Sequence, residues 1–142
     1  MLFALGVALI SIFLLLACLH VYWAFGGRFA RAAAIPERRG APLFVPGRLA
    51  TLLVAGCLFV FAVLVSLIVG MLSAPLPGPL VRWLAFGLAL VLSWRAIGDF
   101  RYVGFFKTIR SGRFAWMDTV LYSPLCAALS AGVFLVTWHS AF

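Results

Sequence analysis

Residues 94–124 read WRAIGDFRYVGFFKTIRSGRFAWMDTVLYSP. The stretch begins at the end of one very apolar segment and finishes inside the next. Two of the chain's three carboxylates, Asp99 and Asp118, lie in it beside Arg95, Arg101, Lys107, Arg110 and Arg113. Short basic loops between long apolar runs are the pattern of a polytopic membrane protein: the runs cross the lipid and the loops stay at one face.

The composition agrees. Of 142 residues, 66% are hydrophobic and 10% charged, and the mean hydropathy is +1.21. Soluble domains are about 45–50% apolar and about 25% charged. A chain this small leaves much of its surface exposed, so lipid is the expected solvent. The net charge of +8 does not point to nucleic acid, because no basic segment stands apart from the spans. It points to topology and to anionic lipid.

Four apolar segments are long enough to span, since about 20 residues cross the hydrocarbon core. The expected helices cover residues 2–25, 48–73, 79–98 and 118–139. The first lacks the basic start of a cleaved signal, and its run is longer than the usual apolar core of one. Leu15-Leu16-Ala17-Cys18 is only a faint lipoprotein box, so the segment is read as helix 1. Helix 1 is also read as able to continue past Gly27 to Ile35, where Pro36 ends it. Ala62, Ser66 and Gly70 fall on one face of helix 2, and Ala85 and Ala89 offer helix 3 a similar close-packing face. Pro79 suits the first turn of helix 3.

Two basic loops, 26–47 and 99–117, join helix 1 to helix 2 and helix 3 to helix 4. In the second, Tyr102, Phe105, Phe106 and Ile109 share one side of a helical wheel. That pattern predicts an interfacial amphipathic helix over about Phe100–Arg110. Asp118 is placed as the N-cap of helix 4, with Pro124 either kinking that helix or moving its start to Ser123. Ten of the eleven Lys/Arg residues lie at the end that carries these loops, and only Arg82 lies opposite. The charge bias puts both loops in the cytoplasm and both termini outside, in a bacterial inner membrane.

The candidate site residues are His20, Trp23, Arg95, Asp99, Arg101, Lys107, Asp118 and Tyr122. Arg95 and Asp99 are four apart and are expected to pair on one helix face. His20, in an otherwise apolar span, needs a partner and can accept a proton near neutral pH. Tyr122 lies one turn beyond Asp118. Together these groups are expected to gather from three helices into one polar pocket. Cys18, Cys57 and Cys126 form no CxxC and are read as packing residues. No catalytic residue, metal or cofactor is assigned. Metalloprotease, nucleophile-elbow and phosphate-loop motifs are absent.

The motifs His20-Val-Tyr-Trp23-Ala-Phe-Gly26-Gly27 and Arg95-Ala-Ile-Gly98-Asp99-Phe-Arg101-Tyr-Val-Gly104-Phe-Phe-Lys107, followed by Asp118-Thr and Tyr122-Ser-Pro124, resemble a bacterial family of small four-span membrane proteins known only as a domain of unknown function. The resemblance covers nearly the whole chain. It implies a four-helix inner-membrane protein and supplies no activity.

The leading expectation is a non-enzymatic binder of an anionic lipid headgroup or an amphiphilic small molecule at the cytoplasmic leaflet. Arg95, Arg101 and Lys107 would supply charge. A second reading is a membrane enzyme acting on a lipid-like substrate through His20, Asp99 and Asp118. A third is a small transporter or accessory subunit that meets a second copy or a membrane partner through its small-residue faces.

Overall fold

The computed structural model describes residues 1–38 and 41–140; Arg39, counted among the loop cations, lies outside them. Four helices dominate: α1 (Leu2–Ala24), α2 (Arg48–Ile68), α3 (Gly78–Ile97) and α4 (Arg113–Trp138). Each is long and apolar enough to cross a membrane. The fold is all-α, and the four spans match the hydropathy reading. Between α1 and α2 lie a short 3-10 turn (Arg31–Ala34) and a minimal hairpin, β1 (Glu37–Arg38) with β2 (Ala41–Pro42), in which Glu37 faces Pro42.

The helices form a four-sided bundle. α1 packs chiefly on α2, α3 packs on α4, and α4 closes back onto α1; the α2–α3 contact is smaller. Phe13, Val65, Ala85 and Val133 are fully enclosed at its centre, with Leu9, Leu88, Leu92 and Leu129 around them. Phe13 meets Phe61 edge to face at 5.9 Å. Outward faces carry Leu15, Leu53, Phe59, Val60, Leu90 and Val91, all exposed. A soluble protein does not present apolar surface on that scale; lipid tails cover it. Lipid is as apolar as the core, so association rests on close van der Waals packing. Ala62, Ser66, Ala85 and Ala89 are buried accordingly, as their spacing implies.

Two helix ends differ from the sequence reading, for one reason. Gly26 and Gly70 adopt positive φ, +94° and +74°. Each closes a Schellman cap: Gly27 N–H donates to Tyr22 O, and Met71 N–H donates to Ser66 O. Left-handed glycine ends a helix wherever the following amide folds back this way. So α1 stops at Ala24 and does not run on toward Ile35, and α2 stops at Ile68, short of Ser73. Gly70 therefore leaves the small-residue stripe and becomes a cap.

Ala85 is fully enclosed, so Ala85→Leu has no room and is expected to destabilise the bundle by about 1–3 kcal/mol. Leu90→Ala, on a lipid-facing position 70% exposed, is expected to stay within about 0.5 kcal/mol. Equilibrium unfolding in mixed micelles measures both.

Candidate functional site

The segment between α3 and α4 is not the expected interfacial helix. Gly98 and Gly104 have φ of +94° and +91°, and Phe100 has +61°. Their backbones lie against each other: a Cβ on Gly98 would overlap Val103 O, and one on Gly104 would overlap Ile97 O. Asp99 Oδ1 accepts from the N–H groups of Arg101, Tyr102 and Val103 at 2.9, 2.7 and 2.9 Å. A short acidic side chain that captures these donors competes with helix formation. The chain then folds back, and Phe105 N–H donates to Ala96 O at 2.9 Å. The amphipathic pattern was real, but it is spread over a loop docked on the end of α3.

This fold-back corrects the expected Arg95–Asp99 pair. The four-residue spacing rule needs a continuous helix, and Gly98 ends the helix first. Arg95 Nη2 instead donates to Asp118 Oδ1 at 2.9 Å.

Asp118 is not an N-cap. α4 starts five residues earlier, at Arg113, where the Glu37 carboxylate accepts the Arg113 N–H from across the bundle. Asp118 lies inside α4 with no exposed surface. Its Oδ2 accepts from Gly104 N–H at 2.8 Å, Lys107 Nζ at 2.9 Å and Ser123 Oγ at 3.2 Å. With Arg95 on Oδ1, the carboxylate's acceptor capacity is filled.

Lys107 is only 3% exposed, so it is not the lipid-facing cation of the sequence reading. Its ammonium has three protons and three acceptors: Asp118 Oδ2, Gly104 O at 3.2 Å and Thr119 Oγ1 at 2.7 Å. A buried charge is tolerable when paired and hydrogen-bonded in this way.

α4 widens at this point. Asp118–Tyr122 form a π turn, with Ser123 N–H bonded to Asp118 O. Pro124 has no N–H, and its ring would press on the carbonyl four residues back. The wide turn relieves that contact. Pro124 thus does not set the start of α4, which lies at Arg113. Residues five apart on an α-helix point about 140° apart. The π turn brings Ser123 round to the Asp118 carboxylate.

His20 joins a different group. Its Nδ1 lies 2.8 Å from Leu16 O, a pure acceptor, so Nδ1 carries the proton and Nε2 is left as the acceptor nitrogen. The ring stands edge to face on Trp23 at 4.9 Å. Trp23 Nε1 donates to Phe29 O at 2.7 Å. His20, Trp23 and Arg31 line a cavity of about 330 Å³ with Ile35, Phe44 and Thr51. Arg31 also borders a neighbouring cavity of about 510 Å³, with Arg28 and Glu37.

The expected single pocket therefore divides in two. Arg95, Lys107 and Asp118 converge in an ionic cluster around the Asp118 carboxylate, in which Arg95 Nη1 is buried without a hydrogen-bond partner among the described residues. His20 and Trp23 border a cavity beside the first loop. Asp99 closes its own turn. Arg101 is exposed over the Tyr102 ring. Tyr122 OH donates to Ala33 O at 3.2 Å and ties the 3-10 turn to α4. Among the described residues, no group of three His, Cys, Asp or Glu side chains is placed to hold a metal ion. Cys18, Cys57 and Cys126 are free thiols.

Arg31, Glu37, Thr51 and Ser123 were not singled out from the sequence. Ser123, beside Pro124 in an apolar run, carried a signal: a hydroxyl there needs an acceptor. Glu37 carried none, because its partner lies 76 residues away.

Fold and site together define a four-span helical membrane protein whose two basic loops are tied to one end of the bundle by Glu37 and Asp118. The chain belongs to the family described as a protein of unknown function (DUF3995), whose model matches residues 13–133. No curated protein and no solved structure matches the chain.

Asp118→Asn leaves Lys107 buried without its counter-charge and is expected to cost about 3–5 kcal/mol. Adding Lys107→Met is expected to return part of that loss in a double-mutant cycle in micelles. At Asp99, the little burial there is pushes the carboxyl up, but the three backbone N–H bonds outweigh it and hold the group below its ordinary value of 3.8. A lowered folded value means stability present above the ordinary carboxylate range and lost as pH falls through the lowered one. The stability gap between wild type and Asp99→Asn is therefore expected to be constant near neutrality and to close on acidification below that range.

Proposed function

We propose that this protein is a non-enzymatic binder of an anionic amphiphile at the cytoplasmic leaflet of a bacterial inner membrane, with both termini outside. The observation that carries this reading is the cavity of about 330 Å³ that combines the Arg31 guanidinium and the His20 imidazole with the apolar walls of Ile35, Phe44 and Val54. Its size falls in the usual range for small-ligand sites, about 300–1,000 Å³. Arg31 is half-buried, and no hydrogen-bond or ion-pair partner for its guanidinium is found among the described residues.

The location supports the reading as well. The cavity lies between the end of α1, the first loop and the start of α2, where the charge bias puts the cytoplasmic headgroup layer. Basic side chains there attract anionic lipids. Trp23 sets its depth as an interfacial aromatic does. The binding role shifts from Lys107 and Arg95, which are committed to Asp118, to Arg31 and its neighbour Arg28.

Arg31→Gln is expected to lower retention of anionic lipid about tenfold in native mass spectra of protein released from nanodiscs. Arg101→Gln, on the exposed second loop, is expected to change it less than twofold. Equal losses in both variants would assign the retention to diffuse surface charge and remove the cavity from the account.

A further inference from the structure

We infer that the head accepted by this cavity is a lipid phosphate monoester, recognised by charge at Arg31 and by hydrogen-bond polarity at His20; the inference rests on the binding reading above. His20 Nδ1–H is committed to Leu16 O, so in the neutral ring the lone pair is on Nε2. Trp23 Nε1 is committed to Phe29 O, and Thr51 Oγ1 donates to Gly47 O at 3.0 Å. Of the cavity's polar side chains, Arg31 remains as cation and donor, and His20 Nε2 and the lone pairs of Thr51 Oγ1 remain as acceptors.

A ligand that satisfies both presents negative charge and a proton donor on one compact head. A phosphodiester without a free hydroxyl has only acceptors, and would leave Nε2 facing another acceptor. A phosphate monoester has both: its second ionisation lies at about pH 6, so its monoanion carries a P–OH and a P–O⁻ on one phosphorus. Arg28 and Arg31 share the adjoining cavity of about 510 Å³. The acid in that cavity, Glu37, has its Oε1 bonded to the Arg113 N–H. The monoanion sets its P–O⁻ against Arg31 and its P–OH against His20 Nε2, and Arg28 adds positive charge beside them. The apolar side chains Ile35, Phe44, Pro46, Ala50 and Val54 then receive the glyceride or chain region next to the head.

The test uses the full-length protein in phosphatidylcholine nanodiscs carrying a minor fraction of dioleoyl phosphatidic acid or dioleoyl phosphatidylmethanol, an anionic diester with no hydroxyl. Bound lipid is read by native mass spectrometry. Wild type is expected to retain the monoester about tenfold over the diester. His20→Phe, which keeps an aromatic ring and removes the acceptor, is expected to bring the ratio close to one, while His20→Gln, which keeps an acceptor, retains part of the preference. Thermal unfolding of each variant checks that α1 stays packed; if His20→Phe fails to fold, the His20→Gln ratio carries the test, and the full wild-type preference kept in that variant overturns the role of His20. A wild-type ratio near one, with both lipids lost in Arg31→Gln, overturns the monoester assignment and leaves anionic lipid binding standing. Absence of Arg31-dependent retention of either lipid overturns both. Displacement of phosphatidic acid by glycerol 3-phosphate at equal concentration would move the source from lipid to a soluble phosphate and overturn the lipid assignment.

Discussion

The Asp118 carboxylate holds the basic end of this protein together. It lies inside α4 and receives Arg95 from α3, and Gly104 N–H and Lys107 from the loop between. One acidic group thereby fixes where α3 stops, how the loop folds back and which turn of α4 faces it. The arrangement makes sense only as a unit. Lys107 could not be buried without a carboxylate, Asp118 could not be buried without donors, and Ser123 reaches the site only because Pro124 is accommodated by a π turn.

The same economy appears in the other two acids. Asp99 closes the turn that lets Gly98 and Gly104 pack backbone to backbone. Glu37 reaches from the first loop to the start of α4, beside the Tyr122 bond to Ala33. The two basic loops are therefore not independent appendages; each is anchored to α4. That anchoring gives the cavity at His20 and Arg31 a stable wall on its loop side.

The spans were legible in the sequence because apolar runs of this length have few other uses. Helix ends were legible only to within a few residues, since Gly26 and Gly70 could be read either as packing positions or as caps, and only the folded backbone decides. The ionic cluster was half legible. Arg95, Lys107 and Asp118 were all picked out, but their pairing was not. The reading of Asp118 as a cap took the start of the apolar run as the start of the helix. Ser111-Gly112 was the truer signal, because a glycine at φ +101° precedes Arg113. Arg95 and Asp99 obeyed a spacing rule whose premise, an unbroken helix, fails at Gly98. Contacts such as Glu37 with Arg113 leave no trace in a single sequence, because they depend on how the bundle closes.

The placement of the acids also makes the bundle unequal along its length. Every acidic side chain lies at the loop end. The other end, where Val69–Pro77 turn from α2 into α3, has packing and caps but no acidic side chain to pin it. Local opening is governed by the weakest cooperative contacts. Fraying of the helices is therefore expected to start at the charge-poor end, with backbone amides near Gly70 exchanging before those around Gly104. The protein behaves mechanically as a clamp closed at one end and compliant at the other.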